Sequence, residues 1–179
     1  MERRSVRILV WIALAVPLVM DAVYLSFIRS QGSYGPDIFT VPFVAAFMFL
    51  MTGMLAVSLF TEHPVLRTLL RGGAAAGLLV LGVLGAFSIG LPILVAGVLA
   101  AVAFGVSIDR SRWLLSLGAS AVAAFLCGGV FLVGIDAANR IIVCPPGVTE
   151  GGRGNGILLG PYQYQCSGGQ LQWSSSPTP

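Results

Sequence analysis

Lysine is absent from this chain, histidine occurs once, at His63, and charged side chains make up only 9% of the 179 residues. A soluble domain carries roughly 25% charged residues, so an ordinary water-facing surface is excluded. A single histidine excludes multi-histidine metal sites and the H-E-x-x-H zinc helix. The glycine-rich stretch Gly151-Gly152-Arg153-Gly154-Asn155-Gly156 lacks both the spacing and the Lys-Ser/Thr ending of a phosphate loop, and it reads as a flexible turn. The ten basic residues are all arginine and are dispersed, so a formal charge of +3 implies no nucleic-acid partner. The composition carries no cofactor motif, no metal site and no catalytic set.

Apolar residues dominate instead, at 56%, with a mean hydropathy of +0.92. A 179-residue water-soluble fold has no means of burying that much apolar surface. Three stretches, 8–28, 38–60 and 113–135, are each about 20 residues, the length a helix needs to cross roughly 30 Å of hydrocarbon. The run from Gly72 to Ile108 is also apolar and would be about 55 Å long as one helix, which no bilayer accepts. It must turn back, and Ser88-Ile89-Gly90-Leu91-Pro92 is the turn, since glycine suits a helix end and proline a helix start. The fold class is therefore an all-α membrane protein of five transmembrane helices, 8–28, 38–60, 72–89, 91–108 and 113–135. A transmembrane domain of residues 1–140 precedes a tail of residues 141–179.

Arginine placement tests the count. Arg3, Arg4 and Arg7 precede the first span, Arg67 and Arg71 follow the second, and Arg110 and Arg112 follow the fourth. Five crossings put all of them on one side, which the bias of short cytoplasmic loops toward arginine makes the inside. The N-terminus is then cytoplasmic and the tail extracytoplasmic, in a multi-pass protein of the cell membrane. The first span resembles a signal peptide only in its basic start. Its apolar stretch is too long, and Leu25-Ser26-Phe27 puts bulky residues where a cleavage site needs small ones, so it reads as an uncleaved signal anchor.

Two of the three cysteines, Cys144 and Cys166, fall in the tail, where an oxidising compartment permits a disulfide. A bridge closing a loop of this length restricts the unfolded tail by about 3 kcal/mol. Their separation argues against a redox dithiol, which keeps its cysteines close, as in C-x-x-C. Tyr162-Gln163-Tyr164-Gln165 and Gln170-Leu171-Gln172-Trp173 alternate in period two around Ser167-Gly168-Gly169, the pattern of a stapled β-hairpin. Tyr162 and Tyr164 share one face, as do Leu171 and Trp173, and such rings suit the headgroup region of a leaflet, with a contact surface for a partner as the alternative. Residues 174–179 carry no periodicity and are expected to be disordered.

Asp21 is the polar residue that most needs an explanation. It lies about 4–5 Å from the middle of the first span. An acid there costs on the order of 2.5–3.5 kcal/mol on insertion scales and calls for a partner or a proton. Arg29, Thr52, Ser88, Asn139 and Arg140 are the candidate partners, and structural glue and an ion or proton site are both open readings. Glu62 and His63 are the cytoplasmic-edge acid and base, although the helix-opening Pro64 beside them favours a structural role at the start of a short interfacial helix carrying Val65, Leu66, Leu69 and Leu70. Cys127 reads as a small buried hydrophobe.

Small residues at four-residue spacing favour close helix packing in lipid. Gly73 and Gly77, then Gly97, Ala101 and Gly105, then Ser116, Ser120, Ala124 and Gly128 form such stripes. The partners implied are the lipid bilayer and either a membrane protein or a second copy of this chain. The leading function is a non-enzymatic accessory or structural subunit. A transporter or channel component using Asp21 as a proton or cation site is the alternative, and a membrane enzyme is the third.

Overall fold

The computed structural model describes residues 4–31, 39–85, 90–108, 113–144, 146–147 and 149–174. Five helices, α1 (Arg4–Gln31), α2 (Thr40–Phe60), α3 (Pro64–Leu84), α4 (Gly90–Ser107) and α5 (Trp113–Arg140), are followed by strands β1 (Glu150–Gly156), β2 (Gly160–Ser167) and β3 (Gln170–Ser174). All five helices are long and apolar enough to cross a membrane.

The helix count matches the sequence reading, and the boundaries correct it at α3. The expected interfacial helix after Pro64 and the expected span of 72–89 are one helix that starts at Pro64 and ends at Leu84. Proline at its first position lacks only a donor that would be unpaired there anyway. Arg67 and Arg71 consequently lie one turn apart near the start of a single helix. The Gly85 amide closes the helix on the Leu81 carbonyl at 2.8 Å, and the expected turn at 88–92 gives way to a helix that already begins at Gly90. Residues 86–89, with Ser88, lie outside the described residues, as do Arg110, Arg112 and the tail end 175–179. Helices α1 and α5 run beyond the expected 8–28 and 113–135 at their polar ends.

Two compact units divide the chain. The first holds α1, most of α2, α3, α4 and α5 as far as Phe131. Here α3 is the hub, because its glycines admit neighbours on three sides. A methyl group added at Gly72 would strike Ser120 of α5, one at Gly77 would strike Met51 of α2, and one at Gly82 would lie 2.7 Å from the backbone of Leu94 in α4. Phe47 and Phe131 pack with ring centres 4.7 Å apart, and Val6 and Val10 of α1 bury against Ala103 of α4. The expected stripes are used only in part. Gly73, Gly97, Ser116 and Ser120 meet neighbours or are buried, whereas a methyl group at Gly105 or Gly128 would meet nothing within 4 Å among the described residues.

Several polar groups of this unit join helices. Arg71 is fully buried, and its guanidinium donates to Ser58 Oγ of α2 and Ser107 Oγ of α4. Both serines donate in turn to carbonyls of their own helices. Ser120 Oγ donates to the Thr68 carbonyl at 3.1 Å, linking α5 to α3.

The second unit holds the start of α2, the end of α5 from Leu132, and the sheet. Its sheet is antiparallel in the order β1-β2-β3. A two-residue turn joins β2 to β3, with Gly168 and Gly169 both at positive φ, which matches the right-handed twist of the paired strands. Strand β1 corrects the flexible turn read into residues 151–156. Gly152 and Gly154 lie opposite Tyr164 and Tyr162, and a side chain at either would run into the tyrosine ring. The glycines are therefore sites where aromatic rings cover the neighbouring strand, not hinges.

Candidate functional site

The sheet has two unlike faces. Cross-strand partners share a face, so the pairs Tyr164–Trp173 and Cys166–Leu171, with Tyr162 two residues along β2, form an aromatic side. Arg153, Gln163 and Ser174 align in one row of the opposite side, and Gly151, Gln165 and Gln172 in the next.

The aromatic side is fixed to the end of α5. Tyr162 is buried, and its hydroxyl donates to the Asn139 carbonyl at 2.6 Å. This corrects the expectation that its ring lies on lipid, while Trp173 is still about half exposed. Arg140 of the last helical turn has its guanidinium carbon 5.2 Å from the Tyr162 ring centre and 5.5 Å from that of Trp173, and it donates to the Gly160 carbonyl at 3.0 Å. One turn earlier Asp136 is buried, with its carboxylate 3.6 Å from Arg140 Nε. Gly156 packs so closely on this pair that a methyl group there would collide with Asp136. The Asn139 side-chain oxygen accepts from Thr40 Oγ1 at 2.8 Å, tying in the start of α2. The expected disulfide joins Cys144 to Cys166 with Cα atoms 5.5 Å apart, and both cysteines pack with Ile142, Tyr162 and Tyr164.

The opposite side is polar and open. A cleft of about 650 Å³ runs over Gly151, Arg153, Gln163, Gln165, Gln172 and Ser174, with Gly152, Tyr164 and Trp173 completing its wall. Gly151 leaves the middle of its row without a side chain, which deepens the trough. Three primary amides, each donor and acceptor, and one guanidinium suit a polar or anionic surface. They supply no nucleophile paired with a base.

Sequence reasoning missed Asp136 and β1. The i, i+4 spacing of Asp136 and Arg140 was the available signal for the first, and the alternation of glycine with polar residues at 151–156 for the second. Asp21 sits in α1 with Oδ1 buried and no hydrogen-bond partner among the described residues. Three of its candidate partners have other bonds: Thr52 donates to the Met48 carbonyl, Asn139 accepts from Thr40, and Arg140 pairs with Asp136. Ser88 and the Arg29 side chain lie outside the described residues. Glu62 and His63 are exposed in the short link between α2 and α3, where His63 caps α3 only through its backbone. Cys127 is a half-buried thiol near Gly73. Among the described residues, no three His, Cys, Asp or Glu side chains come together as a metal site. A search of known protein families, curated proteins and solved structures finds no match to this chain.

Proposed function

We propose that this protein is a non-enzymatic subunit of a membrane assembly, a multi-pass anchor that holds a rigid polar sheet on the outer side for a partner. One observation carries this reading. Arg71, Ser58, Ser107 and Ser120 are all engaged in joining helices, whereas Arg153, Gln163, Gln165 and Gln172 line an open polar cleft and their side chains make no hydrogen bond among the described residues. The partner is a membrane protein or a second copy of this chain, and Gly105 and Gly128 leave open helix surface on which another helix can pack closely.

The orientation, with a cytoplasmic N-terminus, an uncleaved signal anchor and an outward sheet, rests on the arginines at the start of α1 and α3 and on the disulfide, which needs an oxidising compartment. The test is co-purification in mild detergent of the intact protein and of an Arg153→Glu, Gln165→Ala variant. The reading expects a stoichiometric partner with the first and its loss with the second. A monomer that brings nothing with it under several extraction conditions sinks it.

A second reading, a transporter or channel component, is favoured by Asp21, whose buried Oδ1 has no hydrogen-bond partner among the described residues in an apolar helix. Asp21→Asn in proteoliposomes separates the two. Abolition of a pH-dependent flux with assembly intact supports transport, and unchanged flux removes it.

A further inference from the structure

Three consecutive apolar residues, Ile157, Leu158 and Leu159, form the turn between β1 and β2, and they are 56%, 54% and 69% exposed. Runs of exposed apolar residues in a polar turn call for a contact. Nothing charged lies between Arg153 and Cys166, so the tip carries no group that prefers water strongly.

The contacts of β2 give the tip a direction. Gly160, at its start, accepts from Arg140, and Gly156 across from it packs on Asp136 and Arg140. Two residues on, Tyr162 reaches Asn139, and at the far end Cys166 packs with Ile142 and is bonded to Cys144. Strand β2 thus climbs alongside the end of α5 from the level of Asp136 outward. The tip, between Gly156 and Gly160, therefore lies at the Asp136 end of this series of contacts and not at the Cys144 end. A helix of 28 residues is about 42 Å long, more than the roughly 30 Å of hydrocarbon, so the Asp136–Arg140 pair falls in the interfacial zone. The tip then extends from that zone toward the acyl chains.

We infer that Ile157, Leu158 and Leu159 insert into the leaflet on the sheet's side as a shallow wedge, with lipid as the partner. Turn backbone without ladder bonds does not enter the hydrocarbon centre, so the wedge stops at the boundary between headgroups and acyl chains. Arg140, Tyr162 and Trp173 sit just above it, in the belt where basic and aromatic side chains meet headgroups. The inference holds whichever side of the membrane the sheet occupies, and it does not depend on a protein partner.

The test uses the full chain with Cys127→Ala, so that Leu158→Cys provides the one free thiol beside an intact disulfide. An environment-sensitive fluorophore on that thiol is read in phosphatidylcholine vesicles, with Gln165→Cys on the polar face as the control. At the tip, nitroxide placed high on the acyl chain should quench about threefold more than a water-soluble quencher, with the order reversed at the control. Equal quenching of both positions from water overturns the wedge. Protection of the tip from both quenchers also overturns it, because that result means a protein contact. Ile157→Cys and Leu159→Cys give the same reading if Leu158→Cys disturbs the fold.

Discussion

Arg140 reaches four groups from one helical turn: the Asp136 carboxylate, the Gly160 carbonyl and the rings of Tyr162 and Trp173. A planar guanidinium can stack and donate at once, which an ammonium cannot. Replacing it with alanine leaves Asp136 buried without its ion pair, and breaking such a pair costs about 3–5 kcal/mol. Arg140→Ala should therefore release the sheet, seen as fast protease cleavage and hydrogen exchange across residues 150–174. Adding Asp136→Leu to Arg140→Leu should recover part of the loss, because no buried charge remains. If the double variant is as loose as the single one, stacking matters more than the ion pair. Arg71 makes the same kind of argument among α2, α3 and α4. Arg71→Ala removes a fully buried side chain and its bonds to two helices, for an expected loss of about 2–4 kcal/mol in detergent unfolding. Arg71→Lys should keep the charge yet recover only part, since one ammonium does not reproduce the fork.

At the scale of elements, α3 and α4 form a hairpin whose closeness depends on missing side chains. At Gly82 a methyl group would press on the Leu94 backbone, which has no flexible end to swing aside. Gly82→Ala should lower stability by about 1–3 kcal/mol through overpacking, while Gly105→Ala, facing open space, should be neutral or slightly stabilising. Unfolding midpoints of the two variants in one detergent provide the comparison. Equal effects would mean that the hairpin is not tightly packed. Much of this level is readable from the chain. Helix length, the need for a turn within 72–108 and the period-two strands at 162–165 and 170–173 all follow from local pattern. The continuity of α3 does not, because Arg71 reads as a charge between the helix opened by Pro64 and the span from 72 until Ser58 and Ser107 are seen to accept from it. Nor does β1, since a glycine-rich strand has no side-chain pattern of its own and depends on Tyr162 and Tyr164 to cover it.

For the whole molecule, the disulfide and the helix bundle should respond separately. Reduction restores freedom to a chain loop worth about 3 kcal/mol, so reductant should expose residues 141–174 to protease while a five-helix fragment survives. Simultaneous loss of the helices would show that the sheet supports them. Orientation has its own measurement. In intact cells a membrane-impermeant maleimide should label Gln165→Cys and leave a cysteine at Arg7 unlabelled, and the reverse pattern would invert the topology.

By itself the sequence determines that five helices can cross a membrane and that Cys144 and Cys166 lie in a polar tail able to bridge. These are local properties, set by run length, charge and spacing along the chain. Only the tertiary structure decides that Arg71 is a buried link, that Asp136 and Arg140 hold the sheet to the end of α5, and that Ile157–Leu159 form an exposed turn. Each depends on which groups from distant positions come within bonding distance. In a chain with so few polar residues, those few long-range contacts determine what each polar group does.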